Sequence, residues 1–215
     1  MELELKRGGR TARVETLGGE LVSYRDERGL EYIWGGDPAY WPGRNPLLFP
    51  IVGMLKEGKI RFDGREYAME RHGFARRREF TPAARGEDWV RLELRESAET
   101  LALYPYPFRL AVEQRLTDTG FSTAVTVANP GEGPLPFCLG AHTGFRCPLE
   151  AGERFEDYEL VFPERESCPT LLLRDGLLDR PAALPCLEDT DTLPLDYRWF
   201  DALDTLIFEG LRSRS

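Results

Sequence analysis

The 215 residues carry 28 Lys+Arg against 37 Asp+Glu, a formal net charge of −9, with 41% apolar and 30% charged residues. That is too apolar for a disordered chain, and a chain of this size should bury about 70% of its unfolded surface without staples. The acidic balance argues against nucleic acid or an anionic membrane as the main partner, because phosphate binding needs clustered Lys and Arg.

The dominant period along the chain is two. Residues 3–5, 12–14 and 21–24 read as short strands separated by Gly8-Gly9 and Gly18-Gly19. Residues 60–62 and 66–69 flank Asp63-Gly64, a dipeptide that tolerates the positive φ angles of a tight hairpin turn. Residues 90–95 alternate between a wet and a buried face. Ser97 is placed to cap a short helical turn through Leu101, Ala102 and Leu103, which Pro105 and Pro107 stop. Residues 110–116 and 121–127 are expected to pair across the turn at 117–120, and residues 158–162 and 205–208 read as later strands. Two stretches, 34–58 and 163–200, are rich in Pro, Gly and aromatics and are expected to be loops, which at such length are usually functional. Many short strands with turn signals roughly every 8–12 residues predict an all-β antiparallel sandwich or barrel, in one domain over residues 1–215.

No apolar run approaches the roughly 20 residues that span a bilayer, and residues 1–6 lack the basic and apolar regions of a secretory signal. A cytoplasmic protein with free thiols is expected. The four cysteines, Cys138, Cys147, Cys168 and Cys186, match neither a zinc knuckle nor a disulfide scaffold. Cys138, His142 and Cys147 fall close together, but a structural zinc site needs four ligands, usually at tighter spacing. Neither a metal nor a cofactor is expected. No Gly-rich phosphate loop, GxSxG or HExxH is present.

Only two histidines occur. His72 opens His72-Gly73-Phe74-Ala75-Arg76, and His142 sits among the small residues Gly140, Ala141, Thr143 and Gly144. Histidine exchanges protons near neutral pH, although a lone histidine is often a satisfied structural residue. The apolar segment 44–53 follows Trp34, Tyr40 and Trp41, and it reads either as a core-covering loop or as a ring platform for a sugar. The run Arg76-Arg77-Arg78 is a solvated charge run or supplies one guanidinium to an anionic ligand.

These stretches together resemble the aldose 1-epimerase (galactose mutarotase-like) family, in its LacX-type and hexose-phosphate mutarotase-like branch. The matching segments are residues 45–53, residues 72–76, Tyr104-Pro105-Tyr106-Pro107-Phe108, and Gly140-Ala141-His142 running into Phe145-Arg146-Cys147-Pro148-Leu149. The resemblance implies a large antiparallel β-sandwich that binds a small-molecule sugar or sugar phosphate and interconverts its α and β anomers by acid/base ring opening. It implies that His142 is the general acid toward the ring oxygen and that His72 binds substrate and polarises the same region. Arg76 would hold a phosphate, with Arg44 a weaker candidate. Asp204 would bind a hydroxyl, with Asp201 as its alternative, and Phe145 is counted among the substrate-binding residues. The family's general base is a late glutamate, and Glu209 does not match its surroundings. The chain is therefore expected to lack the family's last strands, to be weak or inactive, and to expose strand edges that favour a homodimer. The alternative is a non-catalytic carbohydrate-binding or regulatory protein on the same scaffold.

Overall fold

The computed structural model describes residues 1–201 and 203–214, with the side chains of 180–186 left aside. The chain divides into two compact units, Met1–Arg146 and Cys147–Ser215.

In the first unit, β1 (Glu2–Arg7), β2 (Arg10–Glu15) and β3 (Glu20–Arg25) form a three-stranded antiparallel sheet. The two-residue strand β4 (Leu47–Leu48) follows, then the hairpin of β5 (Lys59–Phe62) and β6 (Arg65–Ala68). At its tip Asp63 and Gly64 have φ of 46° and 80°, the positive pair that the Asp-Gly signal predicts. The second sheet contains β7 (Thr81–Arg85), β8 (Trp89–Arg95), β9 (Arg109–Leu116) and β10 (Phe121–Ala128) in the order β10-β9-β8-β7. The expected hairpin pairs Leu116 with Phe121 and Leu110 with Val127. Between β8 and β9 lies α1 (Ala98–Leu103), whose Ser97 cap accepts from the Thr100 amide while Thr100 Oγ1 accepts from the Ser97 amide. A two-residue strand β11 (Gly140–Ala141) completes this unit.

Alternation fixes which faces meet. Leu3, Leu5 and Val14 of the first sheet share one core with Val90, Leu92, Leu110 and Val112 of the second. Each such side chain contributes about 1.5–3 kcal/mol by leaving water. Gln114 Nε2 donates to Gly19 O at 3.1 Å, tying β9 to the turn before β3. An aromatic cluster of Phe49, Phe74, Tyr104 and Phe108 fills the same core, with centroids 5.2–6.4 Å apart. The Tyr104-Pro105-Tyr106-Pro107-Phe108 segment is thus structural, and the Tyr104 hydroxyl donates to Pro136 O at 2.8 Å.

The second unit corrects one expectation. Residues 163–200, expected as a loop, are largely strand: β12 (Glu159–Arg174) and β13 (Leu177–Pro194) pair as a long hairpin, with β14 (Ile207–Phe208) on the other side of β12. The buried positions of β12 are Glu166, Cys168, Thr170 and Leu171, so its inward face includes the charged Glu166 and the polar Thr170, which do not read as apolar. Register shifts accommodate its prolines. The turn is Asp175-Gly176, with φ of 52° and 76°. Glu166 Oε1 and Oε2 accept from the amides of Ser213 and Arg212 at 2.7 and 2.9 Å.

Candidate active site

The site belongs to the first unit and is assembled from β4, β11 and the turn before Phe74. Gly140 pairs with Leu48 and Ala141 with Leu47. The pairing extends beyond the strands, because Cys138 N donates to Pro50 O at 2.8 Å, His142 N to Pro46 O at 3.1 Å and Gly144 N to Arg44 O at 2.7 Å. Thr143 Oγ1 also donates to the buried Asn45 Oδ1 at 2.6 Å. Behind them Glu20 Oε1 accepts from the amides of Arg44 and Asn45 at 2.8 and 2.5 Å. His142 therefore stands on a segment fixed along its whole length, with its side chain at the surface.

His72 reaches the same place from another direction. It occupies the third position of a turn closed by Gly73 N to Glu70 O at 2.9 Å, and its φ is 67°. A positive φ is demanded there and is normally met by Gly or Asn. Gly73 follows with φ of 69°, and a Cβ on it would lie 2.2 Å from Phe49 O. The His72 amide donates to Gly53 O at 2.8 Å, while the Gly53 amide donates to His72 Nδ1 at 3.0 Å. Accepting at Nδ1 assigns the neutral imidazole its proton on Nε2, which leaves Nε2–H as an outward donor.

The two rings, far apart in sequence, come to 5.9 Å between centroids at an interplanar angle of 55°. Burial, then the charges of Arg76 and Arg71 and the neighbouring His142, hold His72 below the ordinary histidine pKa. His142 is lowered by partial burial and then by Arg71 and Arg76. Arg76 Nη2 donates to Arg71 O at 2.9 Å, and its buried Nε has no hydrogen-bond partner. A buried donor left unmade costs about 1–3 kcal/mol, so Nε is an unsatisfied donor beside the histidines. By contrast, Arg77 and Arg78 pair with Glu70 and Glu99, so one member of the arginine run acts on the histidines and two are held by carboxylates.

The sequence-based candidates separate accordingly. His72, His142 and Arg76 come together. Arg44 is engaged elsewhere, with Nε on Gly35 O at 3.3 Å and Nη1 3.8 Å from Glu15. Phe145 is 65% exposed and bridges Ile33 through its backbone. Asp204 and Asp201 lie in the second unit. Arg71 was not anticipated, although a guanidinium directly preceding His72 was a readable signal. Glu20 carried none, and Asn45 was marked only as the start of the 45–53 segment, since their contacts span 25 and 98 residues. Among the described residues no group of three or more His, Cys, Asp or Glu side chains could hold a metal, and no helix is long and apolar enough to cross a membrane.

Residues 1–179 match the sequence model of the family described as aldose 1-epimerase, across both the His72 and His142 segments. The chain belongs to the aldose 1-epimerase family. Within it, the plasmid and chromosomal LacX proteins of Lactococcus lactis subsp. lactis are each 40% identical over 223 residues, covering all of this chain and 74% of theirs. A galactose mutarotase related enzyme from Lactobacillus acidophilus superposes with a TM-score of 0.91 at 26% identity, over 99% of this chain and 73% of that one. A galactose mutarotase-like protein from Lactobacillus casei gives 0.79 at 31% identity, over 91% and 67%. The galactose mutarotase-like β-fold and a mutarotase-like function follow from membership of the aldose 1-epimerase family.

Proposed function

We propose that this aldose 1-epimerase family member interconverts the α and β anomers of an aldose phosphate, or of the free aldose, at the His72–His142 pair. The observation that carries the reading is the convergence of the chain's two histidines beside a guanidinium whose buried Nε has no hydrogen-bond partner. His142 in its protonated form gives its proton to the ring oxygen, the C1–O5 bond opens, and reclosure on the other face yields the other anomer. His72 stays neutral and donates from Nε2–H to the same oxygen region, a task its Nδ1 contact with Gly53 suits. The anomeric hydroxyl gives up its proton as the ring opens and regains one on reclosure, and acceleration over buffer is expected at the ~10²–10⁴ one positioned acid supplies.

The phosphate preference is supported by Arg71 and Arg76. Neither is in an ion pair among the described residues, both act on the two histidines, and Arg76 Nε lacks an acceptor. A phosphate oxygen would satisfy that donor with a charge-assisted bond. The reading of residues 1–215 as one domain belongs to the same proposal, and the family match running across residue 146 supports it. Placement in the cytoplasm is likewise proposed, as where sugar phosphates are handled.

Polarimetry of freshly dissolved α-glucose, α-galactose and glucose 6-phosphate tests the function. Faster decay of optical rotation than in buffer is expected, with glucose 6-phosphate the best substrate. Decay at the buffer rate with all three would sink the enzymatic reading, and sugar binding by calorimetry without acceleration would favour a binding protein.

A further inference from the structure

The indole of Trp41 lies against His142, with centroids 4.7 Å apart and planes 35° from parallel. The surrounding chain is shaped to admit it. A Cβ on Gly144 would come within 2.7 Å of the indole, and one on Gly43 within 2.6 Å, so both glycines make room for the ring. The loop carrying Trp41 is laced to the segment carrying His142. Trp34 N donates to Gly144 O at 2.9 Å, Trp34 Nε1 to Trp41 O at 2.8 Å, and Gly144 N to Arg44 O at 2.7 Å. The charged or titratable groups acting on His142 are Arg71 and Arg76, with His72 the adjacent ring. None of them favours a second positive charge. An indole face does, through its negative quadrupole.

Resting on the reading of His142 as proton donor, we propose that Trp41 is its positioning residue: the indole covers one face of the imidazole, fixes its plane and supports its cationic form. The stack then opposes the two arginines, and the uncovered part of the ring is what substrate meets. A merely structural tryptophan would fill the loop without influencing the imidazole.

With two histidines in the chain, the imidazole proton resonances are few, and His72→Gln assigns them. In Trp41→Leu the His142 ring protons are expected to move downfield as the indole ring current is lost. The His142 pKa should fall by about half a unit, while His72 keeps its values. The kcat for anomer exchange at pH 7 should fall at least about threefold with KM little changed. Trp41→Phe, which keeps an aromatic face, should recover most of both effects, and its circular dichroism checks the fold. An unmoved His142 titration in Trp41→Leu, or a loss that Trp41→Phe fails to recover, overturns the proposal. Wild-type protein without anomer exchange but with a responsive titration overturns the functional reading and the catalytic half of this one. Exchange intact with an unresponsive titration overturns the role of Trp41 alone.

Discussion

His72 combines a backbone conformation unfavourable to its residue type with a side chain whose Nδ1 is already spoken for. Holding a non-glycine residue at positive φ costs about 1–3 kcal/mol, a cost found at functional positions more than elsewhere. Asparagine tolerates that conformation, so His72→Asn is expected to keep stability within about 1 kcal/mol of wild type by thermal denaturation, while anomer exchange falls about 10²-fold. A large loss of stability would instead mark His72 as structural. The pH dependence has a definite sign. His142 lies below the ordinary value of 6.5, so its acid form is lost as pH rises through a midpoint under 6.5. With a neutral sugar, kcat/KM should fall about tenfold per pH unit above that midpoint. Phosphate beside Arg71 and Arg76 offsets their charge, so NMR titration in saturating inorganic phosphate should raise the pKa of both histidines. Unchanged values would remove the arginines from the anion site.

The turn holding His72 depends on its neighbour. Gly73→Ala places a Cβ 2.2 Å from Phe49 O at φ of 69°, and a loss of about 2–3 kcal/mol is expected in denaturant unfolding. A wild-type midpoint would show that the turn relaxes freely. Much of this element was legible in sequence: His72-Gly73-Phe74 and the Asn45–Gly53 segment were singled out, and the β5–β6 and β9–β10 hairpins have the expected partners. The β12–β13 hairpin was missed because its inward positions include Glu166 and Thr170, which disguise the alternation. Its turn, Asp175-Gly176, is the same dipeptide as Asp63-Gly64 and was the available signal. What sequence could not supply was the long-range lacing, such as Thr143 to Asn45, because no local pattern encodes a contact 98 residues away.

Across the whole molecule, a net charge of −9 repels an anionic substrate while Arg71 and Arg76 attract it locally. The local attraction is expected to dominate and to be screened, so KM for glucose 6-phosphate should rise between 0.01 and 0.15 M salt while KM for glucose stays level. A level KM for both would place the phosphate outside the reach of the arginines. Calorimetric unfolding should show one transition if residues 1–215 act as a single domain, and two if the units melt independently. The central claim is anomer exchange at the histidine pair, and two-dimensional exchange NMR reads it most directly, as cross-peaks between the α and β C1 protons of glucose 6-phosphate at equilibrium. Cross-peaks with the wild-type chain, reduced at least about 10²-fold in His142→Gln, are the predicted result. Exchange that survives His142→Gln undiminished, or is absent from the wild type, would contradict it.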